Sequence, residues 1–212
     1  MSKRGREHKP LLILDIAGVL IDGNAMTSKR NGLDEFLLMI FQSYHVVSWT
    51  SRNRYKEKKG KQIPSGESRT KHAFHMYRHR LVAEFYGEDT TSTSLTIDWK
   101  PLCLKDVDRV LQHPKIKELD IHKVDVIVVD DSPVKWALHN DIRCLHPPTW
   151  NKDMANDYEL DTGGRIFEAL RTDKNGVKCE MEKSEDFWKT IQTDEVVMTI
   201  GGVEAVRSSV LV

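Results

Sequence analysis

Apolar residues in this chain come in short unbroken runs that end in acids or hydroxyls. Leu11 to Leu14 is one such run, closed by Asp15. Val126 to Val129 repeats the pattern before Asp130 and Asp131, and His45 to Trp49 leads to Thr50. A run without polar alternation fits a strand covered on both faces, as in a parallel sheet. Leu33, Phe36, Leu37, Ile40 and Phe41 instead recur at the spacing of one helix face, entered through the turn Asn31-Gly32. Ser132-Pro133 predicts another helix start, with serine as N-cap and proline at the first helical position. Strands alternating with helices predict an α/β fold: a doubly wound parallel sheet in three layers.

Between and beyond these elements the pattern is weaker. Residues 56–67, rich in Lys, Gly and Ser, predict an exposed loop. Ala73, Tyr77, Leu81 and Phe85 predict a helix over about 69–86, followed by a polar loop at 87–94. Pro147-Pro148 closes the main pattern, and Gly163-Gly164 precedes a short helix at 165–170. Past Thr172 only 186–191 (helical) and 196–200 (extended) stand out. The expected organisation is an α/β domain over 1–172 with a cap-like insertion at about 52–100, then a C-terminal extension over 173–212.

Charge changes this picture little. Lys plus Arg and Asp plus Glu each number 32, so nothing global draws the chain to nucleic acid or an anionic membrane. No apolar run approaches the roughly 20 residues of a membrane helix. The basic start, Met1 to Pro10, is followed by an apolar stretch too short for a signal peptide and interrupted by Asp15. Cys103, Cys144 and Cys179 are too scattered for a metal pair or a disulfide framework, which leads to an expected location in nucleus or cytoplasm. The basic stretch Arg52, Arg54, Lys56, Lys58, Lys59 and Lys61 reads as a solvated loop before it reads as a contact for RNA or an acidic phosphopeptide. His72, His75 and His79 have a spacing that can bind metal on one helix, but no carboxylate or cysteine lies close in sequence to complete a site.

The strand ends carry the chemistry. Ligands of open α/β sheets bind outside the C-terminal ends of the strands. Asp15, Thr50 and the Asp130-Asp131 pair stand there, and Lys105, at the start of a helix in LCLKDVDRVL, can reach the same edge. Carboxylates suit Mg²⁺, a hard cation. One of them can attack phosphorus, while Thr50 and Lys105 hold the phosphoryl oxygens. Singly, each residue has a plainer role. Asp15 can cap a turn, the paired acids can suit a helix N-terminus, Lys105 can be solvated, and Ser48 and Ser51 compete with Thr50 for the register.

Together the segments resemble a known family. LLILDIAGVL resembles the first motif of HAD-type phosphatases, SWTS the second, LCLKDVDRVL the lysine motif of the FCP/SCP group, and VIVVDDSP its fourth motif. RNGLDEFL resembles the segment between the first two. The likeness runs from about Pro10 to Pro147. It implies an HAD fold, Asp15 as nucleophile and metal ligand, Thr50 and Lys105 as phosphate binders, and Mg²⁺ held by Asp15, the Ala17 carbonyl, Asp130 and Asp131. It further implies a phosphorylated protein as partner; relatives act on the Ser/Pro-rich tail of RNA polymerase II.

Two positions and one connection depart from the family pattern. The family's general acid/base lies two residues after the nucleophile, where this chain has Ala17. A pseudophosphatase that binds phosphate as a scaffold, a slow or selective phosphatase, and an engineered change all fit that alanine. Asn31 replaces a proline, which predicts a less rigid entry to the helix. The connection from Asp22 to Arg30 is short, which predicts an open cleft.

Overall fold

The structure is a computed structural model describing residues 9–24, 28–97, 100–139, 141–154, 156–172, 197–200 and 203–206. Strand β1 (Leu11–Leu14) is followed by helix α1 (Leu33–Ser43) and β2 (His45–Trp49). Then come β3 (Tyr55–Lys58), β4 (Lys61–Pro64), α2 (Gly66–Phe74), β5 (Ala83–Phe85), β6 (Thr91–Ile97) and β7 (Lys100–Leu104). The short helices α3 (Val107–Leu111) and α4 (Pro114–Lys117) lead to β8 (Val126–Val129) and β9 (Arg143–Leu145). Helix α5 (Arg165–Thr172) and the hairpin strands β10 (Val197–Ile200) and β11 (Val203–Val206) complete the described chain.

Five strands form one parallel sheet in the order β5-β2-β1-β8-β9. Because side chains alternate along a strand, each apolar run feeds both faces. Leu12, Leu14, Val46, Ile127 and Val129 pack with Phe36, Ile40, Phe74 and Ile166 from α1, α2 and α5. Leu11, Ile13, Val47, Val126 and Val128 pack with Val107, Val110 and Ile116 from α3 and α4. Helices on both faces make three layers, as the apolar runs predict. The helical stripe is equally direct: Leu33, Phe36, Leu37, Ile40 and Phe41 are the buried residues of α1.

The entry to α1 is tied down by side-chain bonds. The buried Arg30 guanidinium donates to both oxygens of Asp157, each at 2.6 Å, and to the Val19 carbonyl at 3.2 Å. The Asn31 side chain donates to the Asp157 carbonyl at 3.4 Å. These bonds tie the connection after β1 to the segment before α5.

Several weak stretches differ from expectation. The loop expected at 56–67 is instead an exposed hairpin, β3 and β4, as far as Pro64, and the start of α2 from Gly66. Lys59 and Gly60, at φ 52° and 71°, form the two-residue turn that matches strand twist. The hairpin strands are largely polar, with Ile63 the one aliphatic side chain between Lys61 and Pro64, so no alternation marked them. The helix expected over 69–86 ends at Phe74, where His75 takes φ 40°. A 3₁₀ turn follows, and Ala83 and Phe85 enter the sheet as edge strand β5. Their spacing of two served a strand, although Phe85 also suited the helical period. The break also separates His72 from His75 and His79, which therefore do not share one helix. The loop expected at 87–94 becomes β6 from Thr91, paired with β7. Ser132-Pro133 opens only a 3₁₀ turn, Pro133–Trp136, in which the serine hydroxyl makes no capping bond. Of the extended segment expected at 196–200, Val197–Ile200 form β10, whereas 186–191 lies outside the described residues. Among the described residues no helix is long and apolar enough to cross a membrane.

Candidate active site

The chain runs outward from β1 through β2 to β5, then returns to lay β8 on the other side of β1. Order reversals of this kind leave a crevice at the strand ends. Leu14 is in register with Ser48 on one side and Val129 on the other, so Asp15 stands level with Trp49 and Asp130. Bonds from the Asp15 amide to the Val129 carbonyl (2.9 Å) and from the Asp130 amide to the Leu145 carbonyl (3.2 Å) extend the sheet to that level. Thr50, one residue further, is buried and anchored by its amide to the Phe85 carbonyl at 3.1 Å. Ser48 lies inside the strand and Ser51 is exposed, so Thr50 is the hydroxyl at the strand end.

Lys105 reaches this edge from the far end of β7. Its amide donates to the Lys135 carbonyl at 2.7 Å, and Asp106 caps α3 immediately after it. The ammonium is fully buried and has three acceptors: Asp15 Oδ1 at 3.0 Å, Asp130 Oδ2 at 2.6 Å and the Trp49 carbonyl at 2.9 Å. It lies 5.4 Å from the centre of the Trp136 ring, a cation–π distance. The Trp136 indole N–H donates to Asp130 Oδ2 at 2.9 Å. The Ser132 amide donates to Asp130 Oδ1 at 2.9 Å.

Asp131 completes the acidic group by packing against the loop after Asp15. Gly18 has φ 85°, and a Cβ there would fall 2.2 Å from Asp131 Oδ2. Only glycine allows both that backbone and that approach. One carboxylate oxygen from each of Asp15, Asp130 and Asp131 can be chosen so that all lie within 4.8 Å of one another.

Electrostatics follow from this crowding. Burial and the neighbouring charges of Asp15 and Asp130 push the Asp131 carboxyl up to about 6, against the pull of Lys135. Burial also disfavours charge on Asp130, but Lys105 and Lys135 overcome it and hold that carboxyl well below its ordinary value. Burial opposes the charge of Lys135 as well, yet the three carboxylates win and raise it. A compact set of hard oxygen donors whose mutual repulsion already perturbs one member suits a divalent cation such as Mg²⁺.

The structure thus brings together Asp15, Lys105, Asp130 and Asp131, with Thr50 at the next strand end. Ala17 is partly exposed in a turn fixed by bonds from the Gly18 amide to the Ile21 carbonyl (2.8 Å) and from the Ile21 amide to the Ile16 carbonyl (3.1 Å). Asp22, the nearest other acid along the chain, is buried and accepts the amides of Asn24 at 2.6 Å and Lys152 at 3.0 Å. A second acidic cluster, Asp106, Asp108 and His139, caps α3: Asp106 accepts the Asp108 amide and His139 the Val107 amide.

Sequence reasoning missed Lys135. Its ammonium lies 3.5 Å from Asp15, 3.3 Å from Asp130 and 3.9 Å from Asp131. The signal was its place four residues after Asp131, one turn on from the acidic pair.

A family model described as NLI interacting factor-like phosphatase matches residues 3–178. The chain belongs to that family, an FCP/SCP-type phosphatase domain of HAD fold. A search of curated proteins found no match.

Proposed function

We propose that the chain is a Mg²⁺-dependent, aspartate-based phosphatase-like domain acting on phosphoserine or phosphothreonine in a protein, with turnover reduced by Ala17. The observation that carries this reading is the Asp15 carboxylate at the strand crossover, held at 3.0 Å by a buried lysine. Lys105 keeps Asp15 oriented through Oδ1, and Oδ2, which faces the Lys135 ammonium at 3.5 Å, is the oxygen that attacks phosphorus. As the bond from Asp15 to phosphorus forms, the bond from phosphorus to the seryl or threonyl oxygen breaks and that oxygen takes a proton from solvent; water then cleaves the aspartyl-phosphate, yielding a proton to solvent, and returns the carboxylate and free phosphate. The Thr50 hydroxyl holds a phosphoryl oxygen, and the fixed positive charge of Lys105 behind Asp15 stabilises the phosphoryl group as charge shifts during transfer. Asp15, the Ala17 carbonyl, Asp130 and Asp131 would hold the cation, whose chemistry is to neutralise the phosphoryl charge that repels the nucleophile.

Ala17 has no proton to give the leaving oxygen and cannot take one from water. General acid–base help of this kind is worth roughly 10²–10⁴-fold. Two backbone amides hold the Asp22 carboxylate, one on each oxygen. The deficit falls most heavily on alkyl leaving groups and least on phenolates. The exposed basic hairpin β3–β4 supports an acidic polypeptide as substrate. At its base Arg52 donates to the carbonyl of Gly23, at 3.2 Å, in the connection that follows β1. The phosphorylated tail of RNA polymerase II has this chemistry and is a candidate. A nuclear or cytoplasmic location accords with it.

Ala17 also favours a second reading, a pseudophosphatase that binds a phosphorylated partner as a scaffold. Turnover of an aryl phosphate and a phosphoserine peptide, with and without Mg²⁺, separates the two. The phosphatase reading expects weak aryl-phosphate hydrolysis that Asp15→Asn abolishes, and a rise of about 10²-fold or more in phosphoserine turnover with Ala17→Asp. Folded variants that hydrolyse neither substrate leave the scaffold.

A further inference from the structure

Two lysines meet the carboxylates from different sides, and they are not equivalent. Lys105 engages Asp15 Oδ1 and Asp130 Oδ2, while Lys135 faces Asp15 Oδ2, Asp130 Oδ1 and Asp131 Oδ1. The side chain of Lys105 is 0% exposed and its three N–H groups match three acceptors, so it has nowhere to go. The side chain of Lys135 is 21% exposed, and its contacts of 3.3, 3.5 and 3.9 Å are those of an ion pair rather than of tight hydrogen bonds. A flexible four-carbon stem lets such an ammonium swing out without disturbing the backbone.

We propose that the Lys135 ammonium is a resident counter-ion of this cage, which a divalent cation must push aside to bind, so that Lys135 sets the metal affinity of the site. The proposal rests on the reading that the cage takes a divalent cation. Charge supports it. Three carboxylates and two ammonium groups sum to −1. A divalent cation added with Lys135 in place would make the sum +1 and set two like charges against the same oxygens. Moving Lys135 toward solvent removes that repulsion, because charge–charge terms shrink steeply in water. Lys135 also gives the three carboxylates a cationic partner from within the chain.

The test is calorimetric titration of Mg²⁺ into the full chain and its Lys135→Met, Lys135→Gln and Lys135→Arg variants, with thermal melts of each in chelator and in Mg²⁺. The neutral variants are expected to bind Mg²⁺ at least about tenfold more tightly than the parent chain. They should melt lower in chelator and gain more from Mg²⁺, since the ion then supplies the missing charge. Lys135→Arg should bind no more tightly than the parent chain. Two neutral side chains of different polarity guard against one that fails to fold. Unchanged or weaker Mg²⁺ binding in the folded neutral variants overturns the proposal, as does the absence of binding in every chain. The readout is binding, so tighter binding without any hydrolysis would sink the phosphatase reading and leave this one standing.

Discussion

Lys105→Met is the sharpest probe of how the site is held together. Methionine keeps much of the stem but removes an ammonium that is completely buried between Asp15, Asp130 and the Trp49 carbonyl. Breaking a buried ion pair from one side typically costs about 3–5 kcal/mol, because the partner charge is left behind. Here the loss is partly cushioned. Asp130 keeps the indole N–H of Trp136 at 2.9 Å, the Ser132 amide at 2.9 Å and Lys135 at 3.3 Å. The lower end, about 3 kcal/mol, is therefore expected. At about 2–4 °C per kcal/mol for a domain of this size, the melting temperature should fall by about 6–12 °C. The assay is urea and thermal unfolding followed by circular dichroism in chelator. The double variant Lys105→Met with Asp130→Asn removes the stranded charge and should recover a substantial part of the loss. A single variant that melts within about 2 °C of the parent, or a double variant no more stable than the single, would refute the idea that the lysine is the principal partner of these acids.

Two further outcomes follow from other contacts. Gly18→Ala forces a methyl into the space of Asp131 Oδ2 at a backbone of φ 85°, so it should destabilise by more than about 1 kcal/mol and weaken Mg²⁺ binding in the same titration. Glu84, in the edge strand, accepts two hydrogen bonds from Arg78 at 2.7 and 2.8 Å and one from Tyr86. Burial raises its carboxyl, but these donors outweigh it and leave the value below the ordinary 4.5. A depressed carboxyl stabilises the fold above its unfolded value and loses that contribution as pH falls through the folded one. Glu84→Gln should therefore cost about 1–2 kcal/mol at neutral pH. That difference should fade below about pH 4 in unfolding curves taken across the acid range.

Much of the framework was legible in the linear chain. Apolar runs at 11–14 and 126–129, and the largely apolar stretch 45–49, marked three strands, because a strand covered on both faces is apolar at most positions. The stripe from Leu33 to Phe41 marked α1, because only a helix brings that spacing to one side. The residue types at the strand ends, Asp15, Thr50, Asp130 and Asp131, were visible for the same reason: a run that must be buried stops where it meets the ligand edge. The tertiary structure decided the rest. Ala83 to Phe85 became a strand because a free sheet edge lay beside β2, an opportunity no local pattern reports. The hairpin β3–β4 formed from largely polar residues, held by a turn and by backbone bonds that leave little hydrophobic trace. Only strand register set Asp15 level with Asp130, and only the approach of β7 to the turn after β8 carried Lys105 between them. The turn after β8 likewise aimed Lys135 at three acids. Periodicity records which neighbours along the chain share a face, whereas convergence of charges depends on register and turn geometry between distant segments, and those exist only once the sheet has formed.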